Sequence, residues 1–550
     1  MKNTLKRTLA LITAVSVLSL AGCGATNEMA VYTGAGAEQF APQTTMNRGD
    51  KYYAADNSVA DAVGGAEFGF AEEEMATDGY FEPPVDFNTE EYNAVKENGY
   101  MSVAANPLST FSIDVDTASY TNLRRMINEG GRIDTNAIRI EEMINYFDYD
   151  YPAPAAGEPF SVTTEAADCP WNEETKLLLV GLQAEEIDLS ERAPMNIVFL
   201  IDVSGSMYSD NKLPLVQKSF SLLTENLTPQ DRVSIVTYAG DDRVVLEGAD
   251  GNNKEQILEA INALEAGGST AGADGINTAY AIAEKYFISG GNNRIVLATD
   301  GDLNVGISSE SELTKLVEKK RESGVFLSVL GFGTGNIKDN KMEALADNGN
   351  GNYAYIDSVL EARKVLVEEM GGTLFTVAKD VKLQLEFNPA YIKGYRLVGY
   401  ENRTLAAEDF EDDTKDAGEI GAGHSVTAIY EIVTVDSPMD LNTSDLKYGE
   451  TAGEENGEML TVSIRYKEPD GDTSKLLEYP VTESVYSASM SENLAFASAV
   501  AQFGLVLRDS EYKGTATYAS IISQLSGFDF SEDSYKAEFL SLVAEMMSRG

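Results

Sequence analysis

The chain has 550 residues, 43% of them hydrophobic, and a formal net charge of −48. That length is ample for several ordinary domains, each with its own core. The charge argues against nucleic acid and anionic lipid headgroups as partners. Two cysteines leave no disulfide framework. The single histidine, His424, leaves little room for a Ser-His-Asp triad, a multi-histidine zinc site or a haem.

Lys2, Lys6 and Arg7 precede an apolar run over 9–20 that is too short to span a bilayer, the pattern of a signal peptide. The run ends in Leu20-Ala21-Gly22-Cys23, which resembles the lipobox of bacterial lipoproteins. That resemblance implies a signal peptide over 1–22 and an acylated Cys23 as the only membrane attachment. The segment 23–105 shows neither helical nor strand period, and residues 24–105 hold fifteen acidic and three basic residues. It reads as a disordered, self-repelling tether reaching about 50 Å r.m.s..

An N-terminal flanking region follows over 106–193. Its pattern predicts a strand over 110–115, a helix over 117–128 with Tyr120, Leu123 and Ile127 on one face, a second helix over 138–147 and a strand over 177–182. Cys169, beside the only tryptophan, Trp171, reads as a small buried side chain. Over 194–378 the period alternates. Buried strands are predicted at 196–201, 233–238, 295–298 and 326–330, and helices at 213–227, 254–264, 273–287, 310–320 and 360–370. Such alternation specifies an α/β class, a doubly wound, mostly parallel sheet with helices on both faces. Residues 379–490 switch to strict alternation, with strands at 381–385, 426–433 and 460–466, the mark of an antiparallel sandwich. Residues 491–550 are helical, with capping signals at Ser491 and Ser531.

The buried strand at 196–201 runs straight into Asp202-Val203-Ser204-Gly205-Ser206. Strand ends in doubly wound sheets bind ligands at the topological switch point. Three short oxygen-bearing side chains at alternate positions can converge on one small cation, and hydroxyls with carboxylates are hard donors suited to Mg²⁺, Mn²⁺ or Ca²⁺. Gly267-Gly268-Ser269-Thr270 and the strand end at Thr299-Asp300-Gly301-Asp302 fall where loops gather on the same edge. Together these residues resemble the metal-ion-dependent adhesion site of von Willebrand factor type A domains. The resemblance implies a metal, usually Mg²⁺, held by Asp202, Ser204, Ser206, Thr270 and Asp300. It also implies an open coordination position for a Glu or Asp carboxylate of a protein partner. The segments 111–120 and 139–147, with the region after 379, are similar to a lipobox-bearing bacterial subgroup of these proteins that carries dedicated flanking regions.

Asp114-Val115-Asp116-Thr117 resembles the nucleophile loop of haloacid-dehalogenase-type phosphatases, but Ala118 stands where threonine or valine is required, and the segment reads as a strand end capping a helix. Ser204 is not in a Gly-x-Ser-x-Gly elbow. The glycine-rich 331–335 lacks the Lys-Ser/Thr of a phosphate loop and reads as a loop beside the metal site. His424 reads as structural. The expectation is a non-enzymatic, lipid-anchored binding module of the cell envelope or cell surface. The alternative is an envelope assembly or scaffold factor in which the metal is structural.

Overall fold

The computed structural model describes residues 89–549, apart from 189–191, 240, 269–271, 302–309, 442–452 and 470. The signal peptide, Cys23, most of the tether and Thr270 lie outside the described residues.

The apolar run at 195–202 is buried at every position because it forms the central strand of a sheet covered on both faces. The six strands lie in the order Tyr353–Ile356, Phe326–Phe332, Asn292–Thr299, Met195–Asp202, Arg232–Ala239, Asp241–Asp250. All neighbours are parallel except the last, antiparallel pair. One face carries the helices Leu213–Glu225 and Lys254–Asn262, packed through Val216, Phe220, Ile257 and Ile261. The other carries Gly272–Lys285, Glu310–Arg321 and Asp339–Asn348, packed through Ile276, Tyr280, Val317 and Met342. The chain leaves the central strand toward one edge and returns on its other side at Asn292–Thr299, so the switch point lies between these two strands. Two edge strands and the helix Asp339–Asn348 are additions to the predicted pattern. The helix expected at 360–370 is interrupted: Val359–Arg363 passes through a π-turn at Lys364–Glu368 before Met370–Leu374.

The flanking segments interleave. A five-stranded antiparallel sheet runs Met101–Ser102, Ile392–Val398, Ser425–Thr434, Lys176–Ala184, Phe160–Asp168. Facing it, Leu108–Ser112 and Glu458–Lys467 both pair with the long strand Thr376–Phe387. Phe111, Val180, Leu383, Tyr430 and Val462 fill the space between. Strands from before and after the α/β layer therefore build one sandwich. Residues 89–105, read from sequence as the end of a disordered tether, are a correction. Met101–Ser102 pairs with Gly394 and Tyr395, and Val103 is fully buried. The segment is held by main-chain pairing, which leaves no side-chain period to read.

The helices Ala118–Asn128 and Ile140–Asn145 join Glu492–Leu507, Tyr518–Leu525 and Ser534–Arg549 around Phe147, Trp171, Phe496, Phe503 and Phe539. Glu492–Leu507 is apolar nearly all round because it is surrounded. Ser491 caps it, accepting from Leu494 N at 3.1 Å. The last helix departs from expectation: Asp533, not Ser531, accepts from Tyr535 N and Lys536 N, both at 3.0 Å. Among the described residues no helix is long and apolar enough to cross a membrane.

A buried ionic network ties these layers together. Arg403 pairs with Asp114 (3.1 Å), Asp116 (3.3 Å), Glu343 (3.4 Å) and Asp347 (2.8 Å). Arg139 pairs with Glu142 (3.3 Å), Asp339 (3.6 Å) and Glu343 (2.7 Å). Asp114 and Asp116 are therefore spent on this network, with Asp116 also accepting from Tyr353 N. The cap for the helix Ala118–Asn128 comes from Glu142, which accepts from Ser119 N at 2.8 Å, because Thr117 makes no capping bond.

Candidate metal site

Asp202 is the last residue of the central strand and is fully buried. Its Oδ1 accepts from Ser204 N at 2.8 Å, which turns the chain sharply after the strand. Gly205–Tyr208 then forms a 3₁₀ turn pinned by Met207, whose side chain is fully buried in the core below. This geometry puts Ser204 Oγ and Ser206 Oγ 3.0 Å apart, Ser204 nearly buried and Ser206 exposed.

Asp300 follows the neighbouring strand across the switch point and is also fully buried. Thr299 donates to Asp202 Oδ2 at 3.4 Å and accepts from Gly301 N at 3.2 Å, which ties the first acid to the turn that follows the second. Gly301 has φ +101°, and a Cβ there would come within 2.5 Å of Asn336 O, so only glycine fits after the second aspartate. Asn336 in turn donates to Asp300 Oδ1 at 3.4 Å. Gly205 N donates to Gly268 O at 3.1 Å and Gly267 N to Val203 O at 2.7 Å, which seats the glycine-rich loop against the first motif. Thr270 lies outside the described residues. Among the five expected ligands, Asp202, Ser204 and Ser206 thus form one turn, and Asp300, at the end of the neighbouring strand, lies close enough to act on the Asp202 carboxyl.

Burial pushes the Asp202 carboxyl up to about 7, its bonds from Ser204 oppose the rise, and the nearby Asp300 adds to it. A buried acid held up in this way lacks counter-charge, and a cation would supply it. Among the described residues no cluster of three or more His, Cys, Asp or Glu is suited to a metal. An ion here would be held by two carboxylates and neutral hydroxyls, a hard donor set that fits a small divalent cation.

Two features of the site were not read from the sequence. Lys212 donates from Nζ to Asp300 Oδ2 at 2.8 Å. A lysine immediately before a helix sits against the positive end of the helix dipole, and that misplacement is the signal that it has another partner. The segment Thr89–Glu91 lies along the loop 335–338, with Thr89 N donating to Gly335 O at 2.8 Å and Glu91 N to Ile337 O at 3.0 Å. Thr89 therefore lies against the loop whose Asn336 touches Asp300. The remaining candidates stay apart from the site. His424 lines a cleft with Asp148, Tyr149 and Gly372, and burial pushes its ring down to about 4. Cys169 is a buried free thiol, pushed up to about 12 by burial.

Residues 196–368 match the family described as von Willebrand factor type A domain, and residues 86–179 one described as von Willebrand factor. Residues 372–548 match a family described as "Uncharacterized protein YfbK, C-terminal". "Uncharacterized protein YfbK" of Escherichia coli (strain K12) is 44% identical over 469 residues, 83% of this chain and 80% of that protein. Inter-alpha-trypsin inhibitor heavy chain H3 of Homo sapiens is 29% identical over 197 residues, 33% of this chain and 22% of that protein. Among solved structures, a von Willebrand factor type A protein from Catenulispora acidiphila aligns over 71% of this chain and 90% of its own, at 16% identity and TM-score 0.40. Proximal thread matrix protein 1 from the mussel byssus, with a zinc-occupied MIDAS motif, aligns over 34% of this chain and 46% of its own, at 21% identity and TM-score 0.28. The chain belongs to the YfbK family of bacterial proteins, built around a von Willebrand factor type A domain.

Proposed function

We propose that this protein is a non-enzymatic binding module, anchored outside the cytoplasm through an acylated Cys23, that uses a divalent metal to engage a partner protein. Asp202 and Asp300 would supply charge, and Ser204, Ser206 and Thr270 neutral oxygens. Mg²⁺ is the ion best suited to that set, with Mn²⁺ or Ca²⁺ as substitutes. When bound, the ion offers a Lewis-acidic position to an incoming Glu or Asp carboxylate. The observation that carries this reading is the pairing of two buried carboxylates with a serine turn that ends in the exposed Ser206. Two protein carboxylates within a buried site leave the ion open to an outside anion.

The rest of the chain suits presentation of that edge. The acidic segment preceding residue 89 would lift the domain from the membrane, and the ion pairs of Arg403 and Arg139 tie the flanking layers to the α/β layer. A structural role for the metal is the less favoured reading, since Met207, Thr299 and the Gly205–Gly268 bond already hold the loops. The test is a pull-down from envelope extract with the full chain in Mg²⁺, in EDTA, and as Asp202→Ala. A partner lost under both perturbations, with the fold intact by circular dichroism, supports the reading. A partner retained in all three conditions overturns it and moves recognition to the flanking layers.

A further inference from the structure

Lys212 is 8% exposed, and lysine is seldom buried without a purpose. Three contacts fix it. Its backbone N–H donates to Ser209 O at 2.9 Å, continuing the turn that begins at Ser204. Its stem lies across Gly333, where φ is +75° and a Cβ would come within 2.4 Å of Cγ and Cε. Its ammonium ends on Asp300 Oδ2 at 2.8 Å, between side chains 10% and 0% exposed. A glycine in the next strand's loop is thus required for this lysine to reach this aspartate.

We infer that Lys212 is an internal counter-cation that competes with a divalent metal for Asp300 and holds the affinity of the site low. The inference rests on the reading of Asp202 and Asp300 as metal ligands. With both carboxyls ionised to receive a cation, Asp202 and Asp300 contribute −2 and the Lys212 ammonium +1, so these three groups sum to −1. An entering divalent ion must either displace the ammonium from Asp300 or share the carboxylate with it, and like charges in a buried site repel strongly. Once the ion is in, the local sum is +1. A partner carboxylate then neutralises the site, so metal and partner bind with positive coupling. The metal alone binds weakly, and the partner's carboxylate completes what Lys212 has unbalanced. An anionic partner group is favoured for the same reason over a neutral amide or hydroxyl.

The experiment is a Mn²⁺ titration of the full chain, read by the electron paramagnetic resonance signal of free Mn²⁺, for wild type, Lys212→Met, Lys212→Gln, Lys212→Arg and the double variant Asp202→Ala/Lys212→Met. Removing a unit charge beside the ion is expected to tighten Mn²⁺ about ten-fold or more in Lys212→Met and Lys212→Gln. Lys212→Arg keeps the charge and stays at the wild-type affinity, and the double variant loses the ion. Should Lys212→Met fail to fold by circular dichroism, Lys212→Gln, which is neutral but keeps a donor for Asp300, carries the test alone. Equal or weaker Mn²⁺ binding in the folded neutral variants, with wild type still binding, overturns the inference and leaves the metal reading standing. No Mn²⁺ binding by wild type or by any folded neutral variant overturns both.

Discussion

Arg403→Met is the perturbation that most directly probes how the layers are held together. Arg403 is paired with four carboxylates, Asp114, Asp116, Glu343 and Asp347, contributed by the N-terminal segment and the helix Asp339–Asn348. Removing one partner of a buried ion pair costs about 3–5 kcal/mol, because the other is left uncompensated. Here, among the described residues, Arg139 would be left paired with Glu343 at the edge of the cluster. The penalty has a sign in pH. Burial already raises the Glu343 carboxyl to about 7 and raises Asp116, with Asp114 adding to the latter, while Arg403 opposes both shifts. A carboxyl raised in the folded state contributes stability that is full below its unfolded value, near 4.5, and is lost as pH rises through the folded value. Without Arg403 those values rise further, so the variant suffers most at pH 8 and recovers toward pH 5 as the acids take up protons. Urea unfolding followed by the fluorescence of Trp171, buried in the helical core, reads the effect. A loss of about 3–5 kcal/mol at pH 8 moves the midpoint on the order of 1 M, with a visibly smaller shift at pH 5.5. A loss below about 1 kcal/mol, or one equal at both pH values, would refute the network as the joint between layers.

Two predictions concern the metal edge itself. Tyr208 is 83% exposed two residues after Ser206, and Tyr208→Ala is expected to weaken partner capture by about ten-fold, as loss of an interface aromatic does, with Mn²⁺ affinity unchanged; a parallel loss of the ion would show that Tyr208 shapes the site instead. Gly301→Ala must relieve both a φ of +101° and a 2.5 Å approach to Asn336 O, and is expected to lower thermal stability by about 1–3 kcal/mol and to weaken Mn²⁺ binding by moving Asp300; wild-type melting and binding would refute the strain argument.

The α/β layer was legible because buried parallel strands are continuous apolar runs, and the run ending at Ile201 leads straight into three short oxygen-bearing side chains. The turn Asp202–Ser206 is local, so its composition and spacing carry its shape. The edge strands Asp241–Asp250 and Tyr353–Ile356 were not legible. The first is largely polar, the second has four residues, and each exists because a neighbour offers free backbone groups. The same holds for residues 89–105, whose order comes from main-chain pairing with Ile392–Val398 and contacts with the loop 335–338.

By itself the sequence determined the order of periods along the chain, the apolar strands, the acidic surface and the local turn that gathers Asp202, Ser204 and Ser206. These depend on neighbours a few residues apart, where spacing and side-chain chemistry are enough. Tertiary structure alone decided that Leu108–Ser112 pairs with Thr376–Phe387 to close one sandwich, that Arg403 meets Asp114, and that Lys212 reaches Asp300 across the cleared space at Gly333. Those contacts join residues 88 to 289 positions apart. They arise only when layers stack and buried charge must find a partner, a constraint that no local pattern records.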